Sequence, residues 1–111
     1  MSTVKLKINA DNIFLDINNA IPCGLMINEL LTNAIKHAFP NGRLGEISID
    51  FHKKNDKYIL TLQDNGIGLP DDLNLEKTKS LGLRLINSLV SQLNGKLEVT
   101  LNNGTSFKIT F

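Results

Sequence analysis

Apolar and polar residues alternate through Val4-Lys5-Leu6-Lys7-Ile8 and, more loosely, through Ile13-Phe14-Leu15-Asp16-Ile17. That period of two is the mark of a half-buried strand, so both segments are expected to be strands. Pro22 suits the first turn of a helix, where its missing N–H is spare, and the helix is expected to run to about Ala38. Pro40-Asn41-Gly42 then breaks the chain. Alternation returns at Ile47, Ile49 and Phe51 and again at Tyr58, Leu60 and Leu62, with Asn55-Asp56 as the turn of a hairpin. Residues 66–79 hold Gly66, Gly68, Pro70 and several charges without a sustained period, which predicts a loop or lid. A second helix, from about Gly82 to Leu93, places Leu85, Ile86, Leu89, Val90 and Leu93 on its apolar face, and Asn94-Gly95 closes it as a left-handed cap. Leu97, Val99 and Leu101 answer Phe107, Ile109 and Phe111 across Asn103-Gly104, a second hairpin. Two helices on one mixed, largely antiparallel sheet make an α/β two-layer sandwich, a single domain over residues 1–111.

Composition narrows the function. The net charge of +1 gives no basic surface for nucleic acid, and five Phe, one Tyr and no Trp offer little for base stacking. Cys23 is the only cysteine, which excludes an internal disulfide and a cysteine-based zinc site; it reads as a small buried side chain on a helix. No apolar run reaches the ~20 residues of a membrane span, and Met1-Ser2-Thr3 opens no signal peptide, so a cytoplasmic setting without direct membrane insertion is expected. Strand-like runs at both ends are expected of a domain cut from a longer protein.

Three segments carry candidate chemistry. Glu29, Asn33, Lys36 and His37 fall on one helical stripe, opposite Ile27, Leu31, Ala34, Ile35 and Ala38, which are expected to pack on the sheet. A solvated helix face would show such a stripe, but Asn28 and Asn33 are mediocre helix formers where Lys or Gln would serve better. Acceptor oxygens mixed with cations suit a metal bound to phosphate: the Asn33 carboxamide could ligate Mg²⁺ and Lys36 could neutralise phosphate. Asp64-Asn65-Gly66-Ile67-Gly68-Leu69-Pro70 follows a strand. A plain hairpin turn uses the same residues, yet no return strand follows; Gly66 and Gly68 instead let backbone approach a flat ligand, and Asp64 could accept from an exocyclic amine such as adenine's. Ser80-Leu81-Gly82-Leu83 leads into the second helix, with Ser80 as a simple N-cap or Gly82 as an opening for phosphate to reach backbone N–H groups. Neither Walker nor dinucleotide glycine patterns occur, so a nucleotide site here must be of another kind. His52, between Phe51 and Lys53, reads as a solvent-facing ring on a strand.

In this order the segments resemble the Bergerat-fold ATPases, the superfamily of histidine kinases, gyrase, Hsp90 and mismatch-repair ATPases. Glu29-Leu30-Leu31-Thr32-Asn33-Ala34-Ile35-Lys36-His37-Ala38 looks like the N box, Asp64 to Gly68 like the G1 box and Ser80 to Leu83 like the G2 box. Gly104-Thr105-Ser106-Phe107 looks like the closing Gly-Thr-x-Phe segment. The Asn-Ala-x-Lys-His run is most similar to sensor histidine kinases of a short-lid subgroup, because only residues 69–79 separate the glycine boxes and no Phe-rich box lies between them. The resemblance implies an ATP-binding catalytic domain with Mg²⁺ on Asn33 and Glu29 as polarising base or metal partner. It places Lys36 and His37 on phosphate or ribose, Asp64 on the adenine amine with Thr105 beside it through water, and Gly66, Gly68, Leu81, Gly82 and Leu83 around the lid and phosphate channel. The γ-phosphoryl group would pass to a histidine on an upstream dimerisation domain, with a response regulator downstream. Two other readings share the same boxes: a non-catalytic module that regulates a partner by its ATP state, and a serine kinase of the anti-sigma-factor type.

Overall fold

The computed structural model describes residues 4–35, 45–66, 83–101 and 104–111. The elements run β1 (Val4–Ala10), α1 (Ile17–Asn33), β2 (Gly45–Lys54), β3 (Lys57–Asp64), α2 (Leu83–Gln92), β4 (Lys96–Leu101) and β5 (Thr105–Thr110). The strands form one sheet in the order β1-β2-β3-β5-β4, parallel between β1 and β2 and antiparallel elsewhere. This is the expected α/β sandwich. Parallel neighbours need a crossover, and α1 supplies it between β1 and β2. Both hairpins form as the alternation predicts: Asn55 and Asp56 turn with positive φ, and Leu97 and Val99 oppose Ile109 and Phe107.

One face of the sheet meets the helices and the other meets solvent. Ile47, Ile49, Leu60, Leu62, Phe107 and Ile109 project inward against Cys23, Met26, Leu30 and Ala34 of α1 and Leu83, Ile86, Leu89 and Val90 of α2. Each Leu, Ile, Val, Phe or Met among them contributes ~1.5–3 kcal/mol when fully buried. The register puts Lys7, Ser48, Gln63 and Ser106 side by side on the other, polar face.

Four expectations are corrected. Residues 11–16 form no strand; Ile13 and Leu15 turn inward while Phe14 stands 87% exposed, so the alternation there belongs to a connector without ladder partners. The helix starts at Ile17, which leaves Pro22 inside it, buried, rather than in its first turn. Its buried stripe is Cys23, Met26, Leu30 and Ala34; Ile27 and Leu31 only flank the core, and Ile35 is 51% exposed. In α2, Leu85 is 46% exposed whereas Ile86 is fully buried, so the apolar face is narrower than its composition implies. The α2 end behaves as read: Asn94 takes φ 54°, its N–H donates to Ser91 O, and Gly95 N–H donates to Val90 O. That pair of bonds is a Schellman cap. The end of the first helix expected near Ala38, the break at 40–42, the lid at 69–79 and the N-cap Ser80 lie outside the described residues.

Candidate functional site

Topology gathers the candidate residues at one edge of the sheet. A crossover helix runs against the strands it joins, so α1 runs against β2, as antiparallel β3 also does. Hence α1 and β3 finish at the same edge, with Asn33 closing one and Asp64 the other. Strand β5 runs back from that edge, starting at Gly104 and Thr105. The tight cap at Asn94-Gly95 sends β4 back against α2, and β4 runs parallel to β3, so Leu83 opens α2 at this edge too.

Asp64 is the centre of the arrangement. It is 5% exposed, and its cross-strand partner Thr105 is 4% exposed; they are the only buried polar side chains of the core among the described residues. A buried carboxylate needs donors, since an unpaired one costs far more than a buried apolar group returns. Gly66 N–H supplies one, donating to Asp64 Oδ1 at 2.9 Å. This turn, closed by a side chain two residues back, pulls the chain off the strand. Gly104 supports Asp64 from the other side. Its φ is +126°, and a Cβ there would collide with the Asp64 carbonyl oxygen and sit 3.0 Å from Asn65 Cα. Only glycine lets β5 begin this close to the end of β3.

On α1, Asn33 is the last helical residue and Glu29 lies one turn earlier; both are half-buried. Residues 34 and 35 continue in a wider, π-type turn, a local unwinding that often accompanies functional positions. Leu83 is 6% exposed and belongs to the core, so its place at the mouth of α2 is structural as well. Lys36, His37, Gly68, Leu81 and Gly82 lie outside the described residues. The oxygens of Asn33 and Glu29 are the donor types magnesium prefers, one or two protein groups beside phosphate and water. A concavity of about 210 Å³ also opens near Asp64, but Glu46, Asp50 and Asp64 among its lining residues give it the wrong sign for a triphosphate.

Cys23 and His52 sit as the sequence implies, whereas Asn65 is a residue it did not reveal. Cys23 is 2% exposed, and burial pushes its thiol up to about 11, so it is a core side chain and no nucleophile. His52 lies on the solvent-facing side of the sheet, its side chain 39% exposed and its Nδ1 3.0 Å from Asp11 Oδ2. Asn65 was not singled out, yet its Oδ1 accepts Glu46 N–H at 2.8 Å. Its signal was only a position beside Asp64.

Known proteins place this arrangement. The family described as "Histidine kinase-, DNA gyrase B-, and HSP90-like ATPase" matches residues 18–111. The blue-light-activated histidine kinase 2 of Erythrobacter litoralis is 31% identical over 98 residues, 87% of this chain and 28% of its own length. The sensor histidine kinase PdtaS of Mycobacterium tuberculosis is 39% identical over 85 residues, 75% of this chain. This chain thus spans about a quarter or less of these relatives, 28% and 17% of their lengths. A solved blue-light activated histidine kinase from Erythrobacter litoralis superposes with a TM-score of 0.90 at 29% identity, covering 100% of this chain and 36% of its own. From these matches and the Asp64–Thr105 edge, the chain belongs to the histidine kinase-, DNA gyrase B- and HSP90-like ATPases, as an ATP-binding catalytic domain of the sensor histidine kinase type.

Proposed function

We propose that the edge built by Asn33, Asp64 and Thr105 holds Mg-ATP with the adenine at Asp64, and that the domain donates the γ-phosphoryl group to a histidine. The observation that carries this reading is the buried Asp64–Thr105 pair at the end of β3. A carboxylate that already accepts from the Gly66 N–H is suited to accept also from an amino group of a flat base, with the Thr105 hydroxyl beside it to orient a bridging water. Gly66 and Gly68 would allow the ring to lie against backbone. Asn33 would hold Mg²⁺ through its carboxamide oxygen, with Glu29 polarising the attacking group or supporting the metal's waters. The ion would neutralise charge on the β- and γ-phosphates. Lys36 and His37 would bind phosphate or ribose, and Leu81, Gly82 and Leu83 would frame the phosphate channel.

Catalysis of this kind is positioning and electrostatics rather than covalent chemistry by the protein. The acceptor histidine would lie on a dimerisation domain of a longer parent protein, and a response regulator would take the phosphoryl group onward. A cytoplasmic setting is part of the same reading; no helix of the described residues is long and apolar enough to cross a membrane.

The test is a titration of the chain with a fluorescent ATP analogue, with and without Mg²⁺, for the parent and for Asp64→Ala. Loss of a charged acceptor from a buried amine costs about 1.5–3 kcal/mol, or roughly 10- to 150-fold in affinity. An Asp64→Ala protein that stays folded and binds as tightly as the parent removes the adenine assignment.

A further inference from the structure

The last rung between β2 and β3 is made by a side chain. The register pairs Ile47 with Asp64, so the next pair outward is Glu46 with Asn65. In a hydrogen-bonded antiparallel pair, which alternates with non-bonded ones, each residue donates its N–H to the other's carbonyl. Here Asn65 N–H donates to Glu46 O at 3.3 Å as a ladder requires. The return bond differs: Glu46 N–H donates to Asn65 Oδ1 at 2.8 Å, to the carboxamide and not to the backbone. The Asn65 side chain therefore replaces its own carbonyl in the ladder.

That substitution solves a local conflict. The chain must leave the sheet immediately after Asp64, because Gly66 N–H turns back to Asp64 Oδ1 at 2.9 Å. A backbone that turns away at Asn65 cannot also offer its carbonyl to Glu46. Without another acceptor the rung would open and strand β3 would fray back toward Asp64. With the carboxamide in place, the ladder stays closed through the residue after Asp64 while the backbone is free to turn. Asp64 is then held from both sides: Asn65 ties it to β2, and Gly104, just before β5, abuts its carbonyl.

We propose that Asn65 is a positioning residue for base recognition, fixing the direction of the Asp64 carboxylate through the side-chain rung to Glu46. It touches no nucleotide in this scheme and acts only through Asp64, so the proposal rests on the adenine reading above. A misdirected carboxylate loses discrimination for the amino group before it loses general affinity, because donors are strongly direction-dependent. Asparagine suits the position because its short side chain ends in an acceptor oxygen that reaches the Glu46 N–H.

The experiment compares ATP with purine riboside triphosphate, which lacks the exocyclic amine, for the parent chain, Asn65→Ala, Asn65→Asp and Asp64→Ala. The readout is the ratio of the two affinities, together with amide exchange at Glu46 in the parent. Asn65→Ala is expected to shrink the ratio about tenfold, toward that of Asp64→Ala, and Asn65→Asp, which keeps an acceptor oxygen in place, to restore most of it. The Glu46 amide is expected to be protected in the parent. An Asn65→Ala protein whose two affinities fall equally has lost structure rather than aim, and overturns the proposal while Asp64→Ala still collapses the ratio. If Asp64→Ala leaves the ratio untouched, the adenine reading and this proposal fall together. A Glu46 amide that exchanges like an open strand end overturns it without any variant.

Discussion

Gly104 shows how one residue can set the spacing of the site. Its φ of +126° lies where side chains are rarely tolerated, and the space its Cβ would need is filled by the Asp64 carbonyl. Gly104→Ala is expected to cost about 1–3 kcal/mol from backbone strain alone. The collision adds to that, and relief requires β5 to withdraw from Asp64 and Thr105. Urea denaturation should show the lost stability, and nucleotide titration should show weaker binding in the fraction that remains folded. A variant of parental stability would mean the backbone relaxes at no cost. Asn33 is a different case, since its proposed work depends on the ion. Asn33→Ala should weaken Mg-ATP binding more than metal-free ADP binding, because only the first uses the carboxamide oxygen on magnesium. Isothermal titration of both ligands decides it, and equal losses would make Asn33 structural.

Elements were legible in the sequence where a turn residue and a period agreed. The β2–β3 hairpin had alternation on both arms with Asn55-Asp56 between, and those two residues do turn with positive φ. The β4–β5 hairpin and the α2 cap had glycine or asparagine at the positions that demand it. Errors arose where one local rule stood alone. Alternation at 13–17 lacked a partner strand, because β1 already pairs with β2 and leaves residues 11–16 outside the ladder. Pro22 was read as a helix start because its missing N–H is costly elsewhere, ~3 kcal/mol in a helix interior. Pro22 nonetheless lies inside the helix and buried, where its apolar ring leaves water. The polar stripe puts Glu29 and Asn33 on one helix, as α1 does, but Asn65 is invisible to spacing because its bond runs across strands. The phase of α2 gives a direct check on the corrected packing. Ile86, with no exposed surface, should cost about 2–5 kcal/mol on truncation to alanine, as buried aliphatics do. Leu85, 46% exposed, should cost well under half as much. Chemical denaturation of the two variants ranks them, and the reverse order would place the wrong face of α2 on the sheet.

At the scale of the molecule, the fold separates the edge proposed to hold nucleotide from the one histidine among the described residues. Asn33, Asp64, Leu83 and Thr105 share one edge and the helix-covered side of the sheet. His52 is elsewhere. It pairs with Ile59, roughly 17 Å from Asp64 at ~3.4 Å per residue along β3, and the register puts it on the helix-free face. Its ring is also engaged, with Nδ1 3.0 Å from Asp11 and Nε2 3.8 Å from Asp50. The chain's other histidine, His37, lies outside the described residues, and the proposed function gives it to the ligand rather than to the acceptor role. Phosphoryl transfer needs a nucleophile in line with the γ-phosphorus and the leaving oxygen, at about 3–3.5 Å. A ring fixed on the far face of a five-stranded sheet cannot meet that geometry without unfolding the ladder. The 111-residue chain should therefore bind Mg-ATP and yet not phosphorylate itself on histidine. Incubation with γ-labelled ATP, followed by a search for acid-labile label, tests this directly. Added in trans, a dimerisation domain carrying the acceptor should take up label that the chain alone does not. Stoichiometric label on His37 or His52 would place the acceptor inside this domain and overturn the division of labour that the sheet imposes.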